Sequence, residues 1–110
     1  MVNKKTKTVG CPVETTLEVI GGRWKVMIIH FLLEDKRRFG ELTRLLGGIS
    51  ARTLSKQLRE LEAAGILTRK DFGEIPPRVE YSLTPLGKTL EPVLQSMADW
   101  GERVERIRRD

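Results

Sequence analysis

The residues of this 110-residue chain whose types and spacing converge on one chemistry are cationic. Arg52, Lys56 and Arg59 lie in the stretch "GGISARTLSKQLRELEAAG", residues 47–65. On a helix wheel with Leu54 at the origin they fall at about 160°, 200° and 140°, while Leu58 and Leu61 fall within about 40° of Leu54. One side of such a helix is apolar and the other is basic. Guanidinium groups grip guanine O6 and N7 in pairs, and both cation types neutralise phosphate, so the face is suited to a polyanion.

The surrounding charge supports that reading. The chain carries a net charge of +5, and the segment from Lys36 to Arg59 alone holds seven cations (Lys36, Arg37, Arg38, Arg44, Arg52, Lys56, Arg59) against one carboxylate, Glu41. The excess is therefore local, which is the footprint expected of nucleic-acid contact. An ordinary solvated face would account for the charge alone equally well.

Other chemistries find less support. His30 has no cysteine or acidic pair at ligand spacing, so no metal site is expected. "GELTRLLGG" lacks the Gly-Lys-Ser/Thr of a phosphate loop, so no nucleotide cofactor and no enzyme activity are expected. Cys11 is the single cysteine, which rules out an internal disulfide. The longest apolar run, "VMIIHFLL", is far shorter than the roughly 20 residues of a membrane span. The basic start "MVNKKTKTVG" is not followed by the apolar core of an export signal, so a cytoplasmic location is expected.

The elements that must position the cations follow from caps and periodicity. Residues 1–10 read as a flexible basic tail, and residues 11–110 as one domain, with a hydrophobic share of 39% and a charged share of 32%. Cys11-Pro12 opens a short helix to about Ile20, which "GG" ends. A second helix runs from about Arg23 to Leu33, with Trp24, Met27, Ile28, Phe31 and Leu32 at helical spacing. "EDKRR" reads as a turn, and "FGELTRLLGG" as a third helix with Phe39, Leu42, Leu45 and Leu46 inward. The fourth helix, about 50–64, has Ser50 as N-cap and Gly65 just past its end.

Next, "ILTRKDF" and "RVEYSLT" read as two strands of a hairpin over about 66–84, the second alternating Val79, Tyr81 and Leu83 against polar neighbours. Pro76 and Pro77 in the tip cannot donate to a sheet. Thr84-Pro85 opens a last helix expected to run to about 109. Its seam of Leu86, Leu90, Val93, Met97, Trp100, Val104 and Ile107 keeps heptad spacing. Pro92 lies inside it and is expected to kink it or remove one hydrogen bond.

Helix, helix, helix, tight glycine turn, helix, hairpin, long helix is the order of a winged helix-turn-helix: mainly α, with a small β-hairpin. The second helix of such a unit enters the major groove of double-stranded DNA. Arg52, near its start, is the best candidate for a base contact. Thr53, Lys56 and Gln57 reach bases or phosphates. Ser50 and the backbone N–H groups beside it suit a phosphate. Arg38, Arg59 and the hairpin residue Arg78 fit as clamps on the sugar-phosphate backbone. The alternative from another class is a winged-helix module that binds protein without reading DNA.

Three stretches, "CPVETTLEVIGGRWK", "RRFGELTRLLGGISARTLSKQLRELEAAGIL" and "PPRVEYSLTPLGKTLEPVLQSMADWG", together resemble the HxlR family of bacterial winged helix-turn-helix transcriptional regulators, which are MarR-like. The resemblance covers about residues 11–101. It implies a homodimer joined through first and last helices, a roughly palindromic operator, and control of nearby genes, often as a repressor. It also implies that the DNA-facing residues are those named above within 50–59, plus Arg78. The heptad seam points to a dimer independently, through Leu90, Val93, Met97, Trp100 and Val104, because little of the domain is left to cover it.

Some members of that family sense oxidants, quinones or aldehydes at the cysteine in the place of Cys11. The partial positive charge of a helix N-terminus attracts a thiolate, and Lys4, Lys5 and Lys7 add to it while Glu14 opposes it. A passive cysteine is the competing reading. With one thiol per chain, the chemistry open to Cys11 is an adduct, a mixed disulfide with a small thiol, or a disulfide between subunits.

Overall fold

The computed structural model describes residues 11–110. The basic tail expected over 1–10 lies outside the described residues. Helix α1 is Pro12–Ile20, with Cys11 at its N-cap and Pro12 in the first turn, where the absent N–H costs no intrahelical bond. Helix α2 is Arg23–Glu34. A two-residue strand β1, Arg37–Arg38, follows, then helix α3, Phe39–Leu46, and helix α4, Ala51–Ala63. Strands β2, Leu67–Asp71, and β3, Val79–Leu83, form the hairpin. A single turn α5, Pro85–Lys88, precedes the long helix α6, Glu91–Arg109.

The core is one cluster to which nearly every element contributes. Ile20 comes from α1, Ile28, Ile29 and Leu32 from α2, and Leu42 and Leu46 from α3. Leu54, Leu58 and Leu61 come from α4, while Leu67, Tyr81 and Leu83 come from the sheet. Two inward assignments change. Met27 and Leu45 are exposed, whereas Ile29 is fully buried. Consecutive apolar residues such as "MII" give a helix more apolar surface than one neighbour can cover, and the packing partners decide which of them face inward.

The sheet has three strands in the order β1-β3-β2, all antiparallel. "EDKRR" is therefore not simply a turn, because Arg37 pairs with Tyr81 and Arg38 with Glu80. Two residues are too short for a period-2 pattern to show. Arg37 is anchored there by its own side chain, with Nε donating to the Phe31 carbonyl at 3.2 Å and Nη2 donating to Glu34 at 2.8 Å. In the hairpin, Leu67 pairs with Leu83, Arg69 with Tyr81 and Asp71 with Val79. Paired residues share a face, so these six side chains lie on the core side of the sheet and Thr68, Ser82, Lys70 and Glu80 on the other.

The last helix is not continuous from Pro85. Thr84 Oγ1 accepts from the Gly87 N–H at 3.0 Å and itself donates to the Gly65 carbonyl at 2.6 Å, which pins α5 against the start of β2. Gly87 is buried there, and a Cβ on it would collide with the Ile66 carbonyl. The chain restarts at Glu91, so Pro92 falls in the first turn of α6 and breaks no internal hydrogen bond. Arg106, Arg108 and Arg109 in the last turn complement the helix dipole.

The break redistributes the heptad seam. Leu90 is half-buried against the chain's own core, as is Leu94. Val104 is half-buried. Val93, Met97, Trp100 and Ile107 stand exposed on α6, Trp100 at 67%. Helix α1 is exposed along most of its length, including Val13 and Leu17, with Val19 and Ile20 its contribution to the core. None of the described helices is long and apolar enough to cross a membrane.

Candidate nucleic-acid interface

Helices α3 and α4 are joined by Gly47, Gly48, Ile49 and Ser50. Gly47 has φ 47° and Gly48 φ 86°, a left-handed stretch in which side chains with a Cβ are strained. The turn is tight because of these two glycines, and it drops Ile49 into the core. Ser50 then caps α4. Its Oγ accepts from the Thr53 N–H at 3.0 Å, and its hydroxyl donates to Thr53 Oγ1 at 2.9 Å. At the other end Gly65, at φ 79°, lets its own N–H reach the Glu62 carbonyl and the Ile66 N–H reach the Leu61 carbonyl.

A 13-residue helix is marginal on its own in water. Leu54 and Leu61 are fully buried and Leu58 nearly so. Each buried leucine contributes about 1.5–3 kcal/mol, far more than the propensity terms of a few tenths. Packing through the leucines therefore fixes the roll of α4 and decides which residues face out. Arg52, Lys56 and Arg59 are exposed, and Thr53 and Gln57 are half-buried beside them. Arg52 enters no ion pair among the described residues.

Lys56 is partly engaged. Its Nζ lies 4.0 Å from Glu60 Oε2, while Glu60 Oε1 lies 2.8 Å from Lys25 Nζ of α2. The hydrogen bond from Lys25, reinforced by the positive charges of Lys25, Lys56 and Arg59, holds the Glu60 carboxyl below the usual glutamate range, with partial desolvation opposing. Lys25 and Glu60 thus tie the exposed side of the fourth helix to the second, a relationship that the residue pattern does not reveal. The i,i+4 spacing of Lys56 and Glu60 is visible in the sequence, but the approach of Lys25 depends on how α2 crosses α4.

The other clamp residues have structural partners. Arg38 precedes α3, where its backbone N–H donates to Glu41 Oε1 at 2.7 Å, and its Nη2 donates to the Pro77 carbonyl at 3.2 Å. It therefore links the start of α3 to the hairpin tip. Arg78 is not a free cation. Its guanidinium stacks 3.5 Å from the Phe72 ring centre, donates to Glu74 at 3.1 Å and Glu80 at 3.3 Å, and leaves its Nε buried without a partner. An aromatic and two carboxylates flanking Arg78 in the sequence are the signal for this arrangement.

Between α4 and the sheet lies a cleft of about 380 Å³. Ser55, Arg59 and Glu62 line it from the helix, and Arg69 and Tyr81 from the strands. Arg69 is not among the cations that the sequence pattern singles out. Its pairing with Tyr81 places it on the core side of β2, facing α4.

Cys11 is exposed and makes no capping hydrogen bond through its side chain; its carbonyl accepts from the Glu14 N–H at 2.8 Å. Pro12, next to it, lines a cleft with Ala64 and Ile66, just past the end of α4. The thiol therefore sits at the opposite end of α4 from Ser50, separated by a helix about 20 Å long. Among the described residues no group of three or more His, Cys, Asp or Glu side chains is placed to hold a metal.

This architecture matches known proteins. The family model described as HxlR-like helix-turn-helix matches residues 19–108. An uncharacterised HTH-type transcriptional regulator of Bacillus subtilis, YdeP, is 52% identical over 94 residues, covering 86% of this chain and 73% of the relative. Among solved structures, the redox regulator HypR in its reduced form superposes with a TM-score of 0.85 at 46% identity, covering 90% of this chain and 98% of that one. Its oxidised form gives 0.80 at 50% identity, covering 84% and 96%. Reduced YodB from B. subtilis gives 0.76 at 36% identity, covering 86% and 94%. The match spans α2, α3, the glycine turn, the leucine-anchored α4 and the wing, and this chain belongs to the HxlR family of winged helix-turn-helix transcriptional regulators.

Proposed function

We propose that this protein is a cytoplasmic homodimer that binds a pseudo-palindromic site in double-stranded DNA and represses nearby genes, with no enzymatic activity and no cofactor. Its residues 11–110 act as one winged-helix domain. The observation that carries this is the exposed flank of Arg52, Lys56 and Arg59 on a helix whose roll is fixed by three buried leucines. Arg52, the second residue of α4, reads a base edge, most simply guanine. Thr53, Lys56 and Gln57 contact bases or phosphates, and Ser50 with the adjacent N–H groups receives a phosphate. Arg38 and Arg59 clamp the backbone, and Arg78 does so by exchanging a carboxylate partner for a phosphate.

The dimer is supported by exposed apolar surface that the chain itself does not cover: Val93, Met97 and Trp100 on α6, and Val13 and Leu17 on the outlying α1. Val104 extends that face toward the end of α6. A nine-residue helix that packs mainly through its last two residues gains a partner by pairing with a second copy. Two recognition helices then stand about 34 Å apart, one turn of duplex.

The test is the salt dependence of duplex binding. Each phosphate contact contributes a slope of about −0.9 to log K against log salt. A steep negative slope is expected. A protein that ignores duplex DNA at low ionic strength would instead favour the protein-binding module.

Responsiveness to thiol-reactive signals through Cys11 is a further part of the proposal. It is supported by the exposed thiol at the N-cap of α1 and by similarity to HypR, a redox regulator solved in oxidised and reduced forms. Because Cys11 lies beyond the far end of α4, modification acts by shifting α1 and the subunit pairing rather than by blocking the DNA face.

A further inference from the structure

The cleft between α4 and the sheet is lined by two arginines from different elements. Arg59 enters from the helix, on the sector of α4 that turns from the cationic flank toward the wing. Arg69 enters from β2, on the core side of the sheet beside Tyr81. Two like charges are thereby held at one cleft. Neither forms an ion pair among the described residues, although the Glu62 carboxylate shares the lining. Ser55 and Tyr81, which carry hydroxyl groups, also line it, together with the apolar Leu58 and Phe39.

Guanidinium pairs of this kind are completed by an oxyanion that takes charge-assisted hydrogen bonds from both. The position selects the anion. With α4 in a major groove and the hairpin at the neighbouring minor groove, one sugar-phosphate strand must pass between them, over this cleft. We infer that Arg59 and Arg69 together seat a phosphate of that strand, with Ser55 and Tyr81 as additional donors, so that Arg69 is a DNA-contacting residue of the wing. The inference rests on the DNA reading given above. Glu62 is its antagonist, a negative charge that the incoming phosphate must displace or tolerate.

The two possible sources of a phosphate oxyanion, duplex and free anion, are separable. Binding of the full chain to a fluorescein-labelled duplex of mixed sequence, about three helical turns long, is measured from low to moderate salt for wild type, Arg69→Ala, Arg69→Lys and Glu62→Gln. Thermal melting of each variant confirms folding. Arg69→Ala is expected to weaken binding several-fold and to reduce the magnitude of the salt slope by about 0.9 per bound protomer. Arg69→Lys restores part of the affinity and the slope, because charge returns without the fork. Glu62→Gln tightens binding.

Arg69→Ala with wild-type affinity and slope overturns the seat while leaving the DNA reading intact. Glu62→Gln that weakens binding overturns it too. Wild-type protein that ignores the duplex overturns both. In a second arm, inorganic phosphate is titrated into DNA-free protein against chloride at matched ionic strength, and the amide signals of Ser55 and Arg59 are followed. Saturation below a millimolar, together with an unchanged duplex affinity in Arg69→Ala, would assign the cleft to a free anion and overturn the duplex assignment.

Discussion

Lys25 Nζ on α2 lies 2.8 Å from Glu60 Oε1 on α4, while the other oxygen of that carboxylate lies 4.0 Å from Lys56. One carboxylate thus ties the exposed side of α4 to α2 and holds one of the α4 cations beside it.

The brace is expected to depend on pH in a defined direction. The Glu60 carboxyl is held below the usual range in the folded protein, so the unfolded chain binds its proton more tightly. Stabilisation is therefore fully present above the unfolded value of about 4.3 and is lost as pH falls through the lower folded value. Glu60 is 43% exposed at its side chain, so the effect is small. The difference in melting temperature between wild type and Glu60→Gln should be constant from neutral pH down to about pH 5 and should narrow below about pH 4. A difference that widens on acidification would show that Lys25 is not the partner that matters.

Arg52 and Lys56 should separate specificity from affinity. Arg52→Ala is expected to cost about 1–3 kcal/mol on a selected cognate duplex and much less on random sequence. Lys56→Ala should weaken both duplexes to a similar degree and flatten the salt slope, as a phosphate contact does. Equal losses on cognate and random DNA in both variants would remove Arg52 from the base-reading role.

Trp100 tests the subunit interface. A charge placed in the centre of a shared apolar face costs several kcal/mol of association, so Trp100→Glu is expected to sediment as a monomer in analytical ultracentrifugation. Its duplex affinity should drop at least tenfold, because the second recognition helix no longer binds at high effective concentration. A variant that remains dimeric would place the interface elsewhere.

Cys11 can be tested with an oxidant that takes up two protons and two electrons from a pair of thiols. Diamide should couple the Cys11 thiols of two subunits into a disulfide-linked dimer on a non-reducing gel and release wild type from its duplex. Cys11→Ser should stay bound. Release of Cys11→Ser by diamide to the same extent as wild type would make the thiol a bystander.

The elements whose signals are local are legible in the residue pattern. Ser50, the leucines at 54, 58 and 61, and Gly65 define α4 through a cap, a seam and a left-handed stop, all within one short stretch. The alternation of Val79, Tyr81 and Leu83 defines the wing strand in the same way. The cationic flank then follows from helix geometry, because buried leucines leave the opposite side to solvent.

What the tertiary structure decided are the relationships between elements far apart in the chain. Strand β1 exists because Arg37 and Arg38 find β3, on the far side of α3, α4 and β2 in the chain, too short a pairing for any periodic signature. The seam expected to run unbroken from Leu86 divides at Leu90, where Thr89 and Leu90 tighten to bonds with the Leu86 and Gly87 carbonyls and Pro92, which has no N–H to donate back to Lys88, opens a new helix. Arg78, read in the sequence as a clamp on the sugar-phosphate backbone, is shared between Glu74, Glu80 and Phe72. Sequence alone determined which helix faces outward and with what charge, since one helix's own periodicity contains that information. Only the folded chain determined which of those charges are braced, paired or left open, since electrostatic partners are chosen by proximity in space.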